Sequence, residues 1–357
     1  MQEKRKKWLY ALFVAVVFAV TLWTVFGGED LSRMWDSVVM AENRYLYAGV
    51  ICVLLFILCE AASIWYLLRS LGCRIGMGHC ALYSFIGFFY SCITPSASGG
   101  QPMQVVAMRK DNVPVAVSSI ALLVVTIAYK TVLIFMGGAV CILRPEKIMR
   151  YLQPAIGFVY LGIFLNVCCV VPMLLLIFFP NIVRKSAGWI FRVIQKIRPF
   201  RAPDKMREKL EKTIRQYEGA SDYFRQHPYV IGIVFGIAVL QRCILFLVTW
   251  FTYLAFSLQG ESMGVITSLQ AMVSVSVDML PLPGGMGVSE NLFLRIFEPV
   301  FGEKLVLPGM VLSRGISFYS QIVICAVMTL VSMPVLKQKT ERTDDEHEEK
   351  DSPDRVL

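Results

Sequence analysis

Seven ionisable residues lie inside, or at the ends of, stretches that are otherwise apolar: Glu60, Lys130, Arg242, Asp278, Glu290, Arg295 and Arg314. A charged group in hydrocarbon costs about 2.5–3.5 kcal/mol on insertion scales, so each implies a partner or a polar cavity. Lys130 and Arg242 fall well within long apolar runs and Arg314 several residues inside the last one. These three have the chemistry to hold a phosphate, and arginine adds a planar fork able to make two parallel hydrogen bonds to it. Glu60 and Asp278 are candidate partners for the cations or acceptors for a cationic head group, and Glu290 adjoins a break in the apolar pattern. Arg295 is close enough to a run's end to reach the membrane interface. The alternative for each residue is an ion pair that only fixes helix packing.

Two stretches interrupt the apolar pattern with Pro, Gly and Ser: PSASGGQPMQ at 95–104 and DMLPLPGGMGVSENLF at 278–293. Irregular backbone at membrane depth leaves amides that cost several kcal/mol each in lipid, so it belongs in buried protein or along a wet cavity. Gly/Pro-interrupted segments in the two halves of a membrane protein point to a substrate site between them. Helix ends there present free N–H groups suited to an anion. Ser98, Gly99, Gly100 and Gln101 in the first break, and Pro283, Gly284 and Gly285 in the second, are therefore candidate substrate-binding residues beside Arg242, Asp278, Glu290, Lys130, Glu60 and Arg314.

The elements that would carry these residues are membrane helices. Of 357 residues, 56% are hydrophobic and 17% charged, which places the chain among integral membrane proteins. A span needs about 20 apolar residues, and six runs qualify: Trp8 to Phe26, Tyr45 to Leu68, Val115 to Leu143, Pro154 to Phe179, Tyr229 to Phe256 and Pro308 to Leu336. The first follows KRKK and reads as an uncleaved span rather than a signal peptide. Cys80 to Thr94 and Val265 to Leu280 are shorter and run into the breaks, so each is expected to re-enter the membrane as a helical hairpin. The fold class is all-α, a polytopic helix bundle with six full spans and two re-entrant hairpins.

Basic residues set the orientation. Lys4, Arg5, Lys6 and Lys7 precede the first span, and residues 27–44 carry four acids against two arginines. The N-terminus is therefore expected in the cytoplasm of a plasma-membrane protein, with the first break open to the inside and the second to the outside. Residues 181–227 hold twelve Lys/Arg against five Asp/Glu and two amphipathic stripes. Trp189, Ile190, Val193, Ile194 and Ile197 form one stripe; Met206, Leu210, Ile214 and Tyr217 form the other, and both suit an inner leaflet of anionic lipids. Residues 1–336 read as one transmembrane domain, with 181–227 as its cytoplasmic basic connection. The acidic stretch 337–357 reads as a disordered cytoplasmic tail.

Enzyme chemistry finds little footing. Ser96 and Ser98 do not form GxSxG, GGMGVSE lacks the Lys-Ser/Thr of a P-loop, and the three histidines and ten cysteines give no metal-ligand spacing. No catalytic residue, cofactor, metal or nucleic-acid partner is expected.

The pair PSASGGQPMQ at 95–104 and PLPGGMGVSE at 281–290 resembles the signature of the lysylphosphatidylglycerol synthase transmembrane family, over roughly residues 8–336. This is the flippase-like region at the N-terminus of multiple peptide resistance factors. The resemblance implies movement of an anionic or aminoacylated phospholipid between leaflets, a process tied to resistance to cationic antimicrobial peptides. Two-domain relatives add a C-terminal aminoacyl-transferase domain; its absence here leaves lysyl transfer without a seat in this chain. The alternatives are a membrane subunit of phosphatidylglycerol lysyltransferase-type modification, partnered by a separate soluble aminoacyltransferase, and translocation of a polyprenyl-phosphate lipid. A phospholipid substrate, anionic inner-leaflet lipids and a second copy in a homodimer complete the expected partners.

Overall fold

The computed structural model describes residues 38–94, 97–179, 181, 184–185 and 203–331, and every regular element among them is helical. The first expected span, the stripe from Trp189 to Ile197 and residues 337–357 lie outside the described residues. The helices are α1 (Asn43–Ser70), α2 (Met77–Ile93), α3 (Gly100–Lys110), α4 (Val115–Leu143), α5 (Glu146–Leu152), α6 (Ile156–Phe178), α7 (Pro203–Gln226), α8 (Pro228–Ala255), α9 (Met263–Val277), α10 (Val288–Phe301) and α11 (Val306–Arg314). A π-helical turn, Gly315–Ser320, continues α11, and the helical run ends at Val331.

Five helical stretches among the described residues are long and apolar enough to cross a membrane: Asn43–Ser70, Val115–Leu143, Glu146–Phe178, Pro228–Ala255 and Val306–Val331. The chain is a multi-pass membrane helix bundle. Helix is the form required here because it satisfies every amide within the segment. Large apolar side chains remain exposed along the bundle, including Phe135 and Ile142 on α4, Phe158, Leu161, Phe164 and Val171 on α6, and Leu240 on α8. In water such a belt would favour association; on a multi-pass bundle it faces acyl chains.

α8 packs along α1, and α4, α6 and α9 pack against one another. Gly162 sets the closest approach: a Cβ there would stand 2.8 Å from the Ser276 Cα, so α6 lies directly on the α9 backbone. In each interrupted segment, residues near its two ends share a contact or a partner. At the start of α2, the Tyr83 hydroxyl donates to Asp111 Oδ2 just past the end of α3 (2.5 Å), and His79 Nδ1 lies 2.9 Å from the same oxygen. For α9 and α10 the meeting point is Tyr253. Its hydroxyl accepts the Glu261 N–H (3.3 Å), and its ring packs edge-on against Phe301 at 5.5 Å.

α7 corrects one expectation in part. Ile214 of its apolar stripe, with Ala220 and Phe224 beyond, is buried in protein instead of facing lipid. The Tyr217 hydroxyl donates to the Leu176 carbonyl (3.3 Å), and the Ser221 hydroxyl to the Ile177 carbonyl. Both carbonyls belong to the last turn of α6, where no intrahelical donor remains. α7 therefore caps α6.

Candidate functional site

Both breaks open on one cavity of about 430 Å³ in the middle of the bundle, lined by Ala97 and Ser98 from the first and Asp278 and Met279 from the second. Its walls come from α1 (Phe56, Glu60), α2 (Gly87, Phe88, Ser91), α3 (Gln101, Gln104), α4 (Thr126, Tyr129, Lys130), α6 (Cys169, Met173), α8 (Arg242), α9 (Gln270, Ser274), α11 (Arg314) and the π-helical turn after it (Phe318). Five of the six charged candidates thus reach one space, though the sequence spreads them from residue 60 to residue 314.

The first break is closed by a small polar knot. Thr94 Oγ1 donates to the Tyr90 carbonyl (2.6 Å) and accepts the Gly99 N–H (2.9 Å). A Cβ on Gly99 would lie 2.6 Å from Thr94 Cγ2, and one on Gly100 would lie 2.7 Å from the Gly87 carbonyl oxygen. These two glycines let α3 start against α2, which aims Gln101 and Gln104 at the cavity. Gln101 donates to Thr126 on α4. Gln104, buried, donates from Nε2 to Glu60 Oε1 at 2.9 Å. Pro95 and Ser96 lie outside the described residues.

In the second break, Gly284 (φ +58°) and Gly285 (φ +67°) adopt left-handed backbone, a region that a side chain rarely enters. Gly287 is the N-cap of α10, and its N–H donates to Glu290 Oε2 (2.7 Å), as does the Ser289 hydroxyl (2.8 Å). Glu290 Oε1 accepts from Arg314 Nε at 3.0 Å, and Arg314 Nη2 donates to the Gly284 carbonyl at 3.0 Å. Glu290 is therefore a buried brace behind the wall, while Arg314 lines the cavity with its charge already matched. Pro283 opens the turn Pro283–Gly285.

Asp278 pairs with Lys130, not with Arg242: Nζ and Oδ2 are 2.6 Å apart, with Asn166 Oδ1 at 3.5 Å from the same nitrogen. This pair pins the second break to α4. Arg242 is different. Its guanidinium lies over Tyr129 at 4.5 Å and near Phe56 at 5.5 Å, and it makes no ion pair within 4.0 Å among the described residues. Its Nε is buried without a hydrogen-bond partner, which makes it a donor in search of an acceptor. Arg295 is exposed on α10 and outside the cavity lining.

Gln104, Gln270 and Tyr129 were not singled out in the sequence, although each is in the lining. Gln104 stands three residues after the flagged Gln101 and one turn along the same helix, a spacing that puts both on one face. Tyr129 adjoins Lys130. Gln270 carries no sequence signal beyond being polar within an apolar run.

Fold and site together define a multi-pass membrane protein whose broken helices meet at a polar, charged cavity inside the bundle. The chain matches the model of the Lysylphosphatidylglycerol synthase TM region over residues 8–325, and it belongs to that family. A search of curated proteins returns no match.

Proposed function

We propose that the protein is a plasma-membrane lipid flippase, moving an anionic or aminoacylated phospholipid such as lysylphosphatidylglycerol between leaflets. One observation carries the proposal: Arg242 faces a mid-bundle cavity shared by both breaks, stacked on aromatic rings, its Nε without a hydrogen-bond partner and with no ion pair within 4.0 Å among the described residues. A phosphate supplies what it lacks, with two parallel charge-assisted hydrogen bonds. The cavity is of the size of small-molecule sites, about 300–1,000 Å³, so it takes a head group while the acyl chains stay in the membrane.

In this reading, α2 with α3 is a hairpin that re-enters from the cytoplasm and α9 with α10 one that re-enters from outside. Both termini are cytoplasmic. Arg242 binds the phosphate, and Ser98 and Gln101 guide it at the first break. Lys130, Asp278, Arg314 and Glu290 hold the second break in register. The test is reconstitution of the purified protein alone in liposomes, with the lipid followed by leaflet-resolved labelling. Movement without any added aminoacyltransferase supports the flippase. No movement, together with co-purification of a soluble aminoacyltransferase, supports the membrane-subunit alternative.

A further inference from the structure

The charge inventory of the cavity reaches beyond a phosphate site. Lys130 and Asp278 neutralise each other at 2.6 Å, and Arg314 is matched by Glu290 at 3.0 Å. What remains is one cation, Arg242, and one anion, Glu60, both in the lining. They attract each other across the lining, but among the described residues neither has an opposite charge within 4.0 Å, so neither is engaged in a direct ion pair. The orphaned polar atoms repeat the pattern. Arg242 Nε is a buried donor without an acceptor, and Gln270 Oε1, in the same lining, is a buried acceptor without a donor.

A phosphate satisfies only half of this set. It accepts hydrogen bonds from Arg242 but offers nothing to Gln270 Oε1, and it brings a second negative charge into the space that Glu60 faces. An ammonium supplies three donors and one positive charge, the complement of Glu60 and Gln270. Glu60 is held for this role. Gln104 occupies its Oε1 at 2.9 Å, and Gln104 is itself buried against Gly87, where a Cβ would lie 2.8 Å from Gln104 Cγ.

We propose that Glu60 receives the head-group ammonium and is the residue by which the cavity selects amine-bearing phospholipids over phosphatidylglycerol. The inference rests on the reading of the cavity as a head-group site, and it makes that site bipolar: phosphate on Arg242, ammonium on Glu60. A site that hydrogen-bonds a polar group discriminates against an analogue lacking it, because its own buried groups are then left unpaired.

The experiment compares three lipids with the same acyl chains in liposomes containing the full-length protein: lysylphosphatidylglycerol, its N-acetylated form and phosphatidylglycerol. N-acetylation keeps the bulk and removes the positive charge. The wild-type protein is expected to move the lysyl lipid at least about tenfold faster than either of the others. Glu60→Gln should bring the three rates close to one another, and Glu60→Asp, which keeps the charge, should retain most of the preference. Equal rates for the lysyl and acetylated lipids with wild-type protein overturn the inference while leaving the flippase reading intact, and this arm needs no variant to fold. An unchanged preference in Glu60→Gln likewise overturns it. Movement of none of the three lipids removes both the inference and the reading beneath it.

Discussion

Asp278 and Arg242 carry opposite charges in one cavity yet have different jobs, and substitutions separate them. Asp278→Asn leaves Lys130 buried without its counter-ion, so it should destabilise the bundle by about 3–5 kcal/mol. The double variant Lys130→Gln with Asp278→Asn should recover much of that loss. Thermal unfolding in detergent reads both effects. Arg242→Gln breaks no ion pair among the described residues. It gives up its aromatic contacts, worth about 0.5–2 kcal/mol, and a longer-range attraction to Glu60, so the protein should insert and fold while losing lipid movement. Arg242→Lys keeps the charge without the fork and should fall between. Restoration of Arg242→Gln activity by Asp278→Asn would show that these two residues pair after all. At this scale the sequence exposed the ionisable set through its cost in an apolar run, but not the pairing. Lys130 and Asp278 are 148 positions apart, and which partner a cation finds depends on helix rotation and side-chain reach that no local pattern encodes.

The broken segments owe their course to glycines at particular contacts. Gly284→Val would force a β-branched residue into left-handed backbone and into the Phe318 ring, which itself lies 4.6 Å from the Arg314 guanidinium. Lipid movement should be abolished, because the turn that holds Arg314 to the Gly284 carbonyl is displaced. Gly138 on α4 has nothing within 4 Å of a Cβ, so Gly138→Ala should leave both transport and folding near the starting level. Full activity in Gly284→Val would remove the second break from the account. The breaks were legible because Pro and Gly are conspicuous in apolar sequence. The fate of the α7 stripe was not: Ile214 and Phe224 look the same whether lipid or protein covers them. The deciding contacts are hydrogen bonds from Tyr217 and Ser221 to carbonyls some forty residues away, at Leu176 and Ile177.

Taken as one molecule, the bundle has two distinct ends. At one, the Glu42 N–H donates to the Ala255 carbonyl (2.9 Å), and Glu261 accepts from Tyr151 (2.7 Å) and pairs with Lys147 (2.8 Å). At the other, α7 caps α6 and Asp111 ties α2 to the end of α3. In the proposed orientation, which rests on the charge pattern of the sequence, the first end faces outside and the second the cytoplasm. Single cysteines at Lys110 and Gln259, both exposed, in a background without the native thiols, should therefore react with an impermeant reagent from opposite faces. Reaction of both from one side would refute the inverted arrangement. Five of the six expected spans correspond to described helices, and their composition made them legible; the convergence of eight helices on one cavity is a property of packing that appears only in three dimensions. The central claim is that this cavity carries a lipid head group across the bilayer, and one measurement tests it most directly. Liposomes holding lysylphosphatidylglycerol in one leaflet are reconstituted with either the wild-type protein or Arg242→Gln, and its arrival in the opposite leaflet is followed over time. The account predicts rapid equilibration with the wild type and a rate near that of protein-free liposomes with Arg242→Gln; equal rates for the two proteins would contradict it.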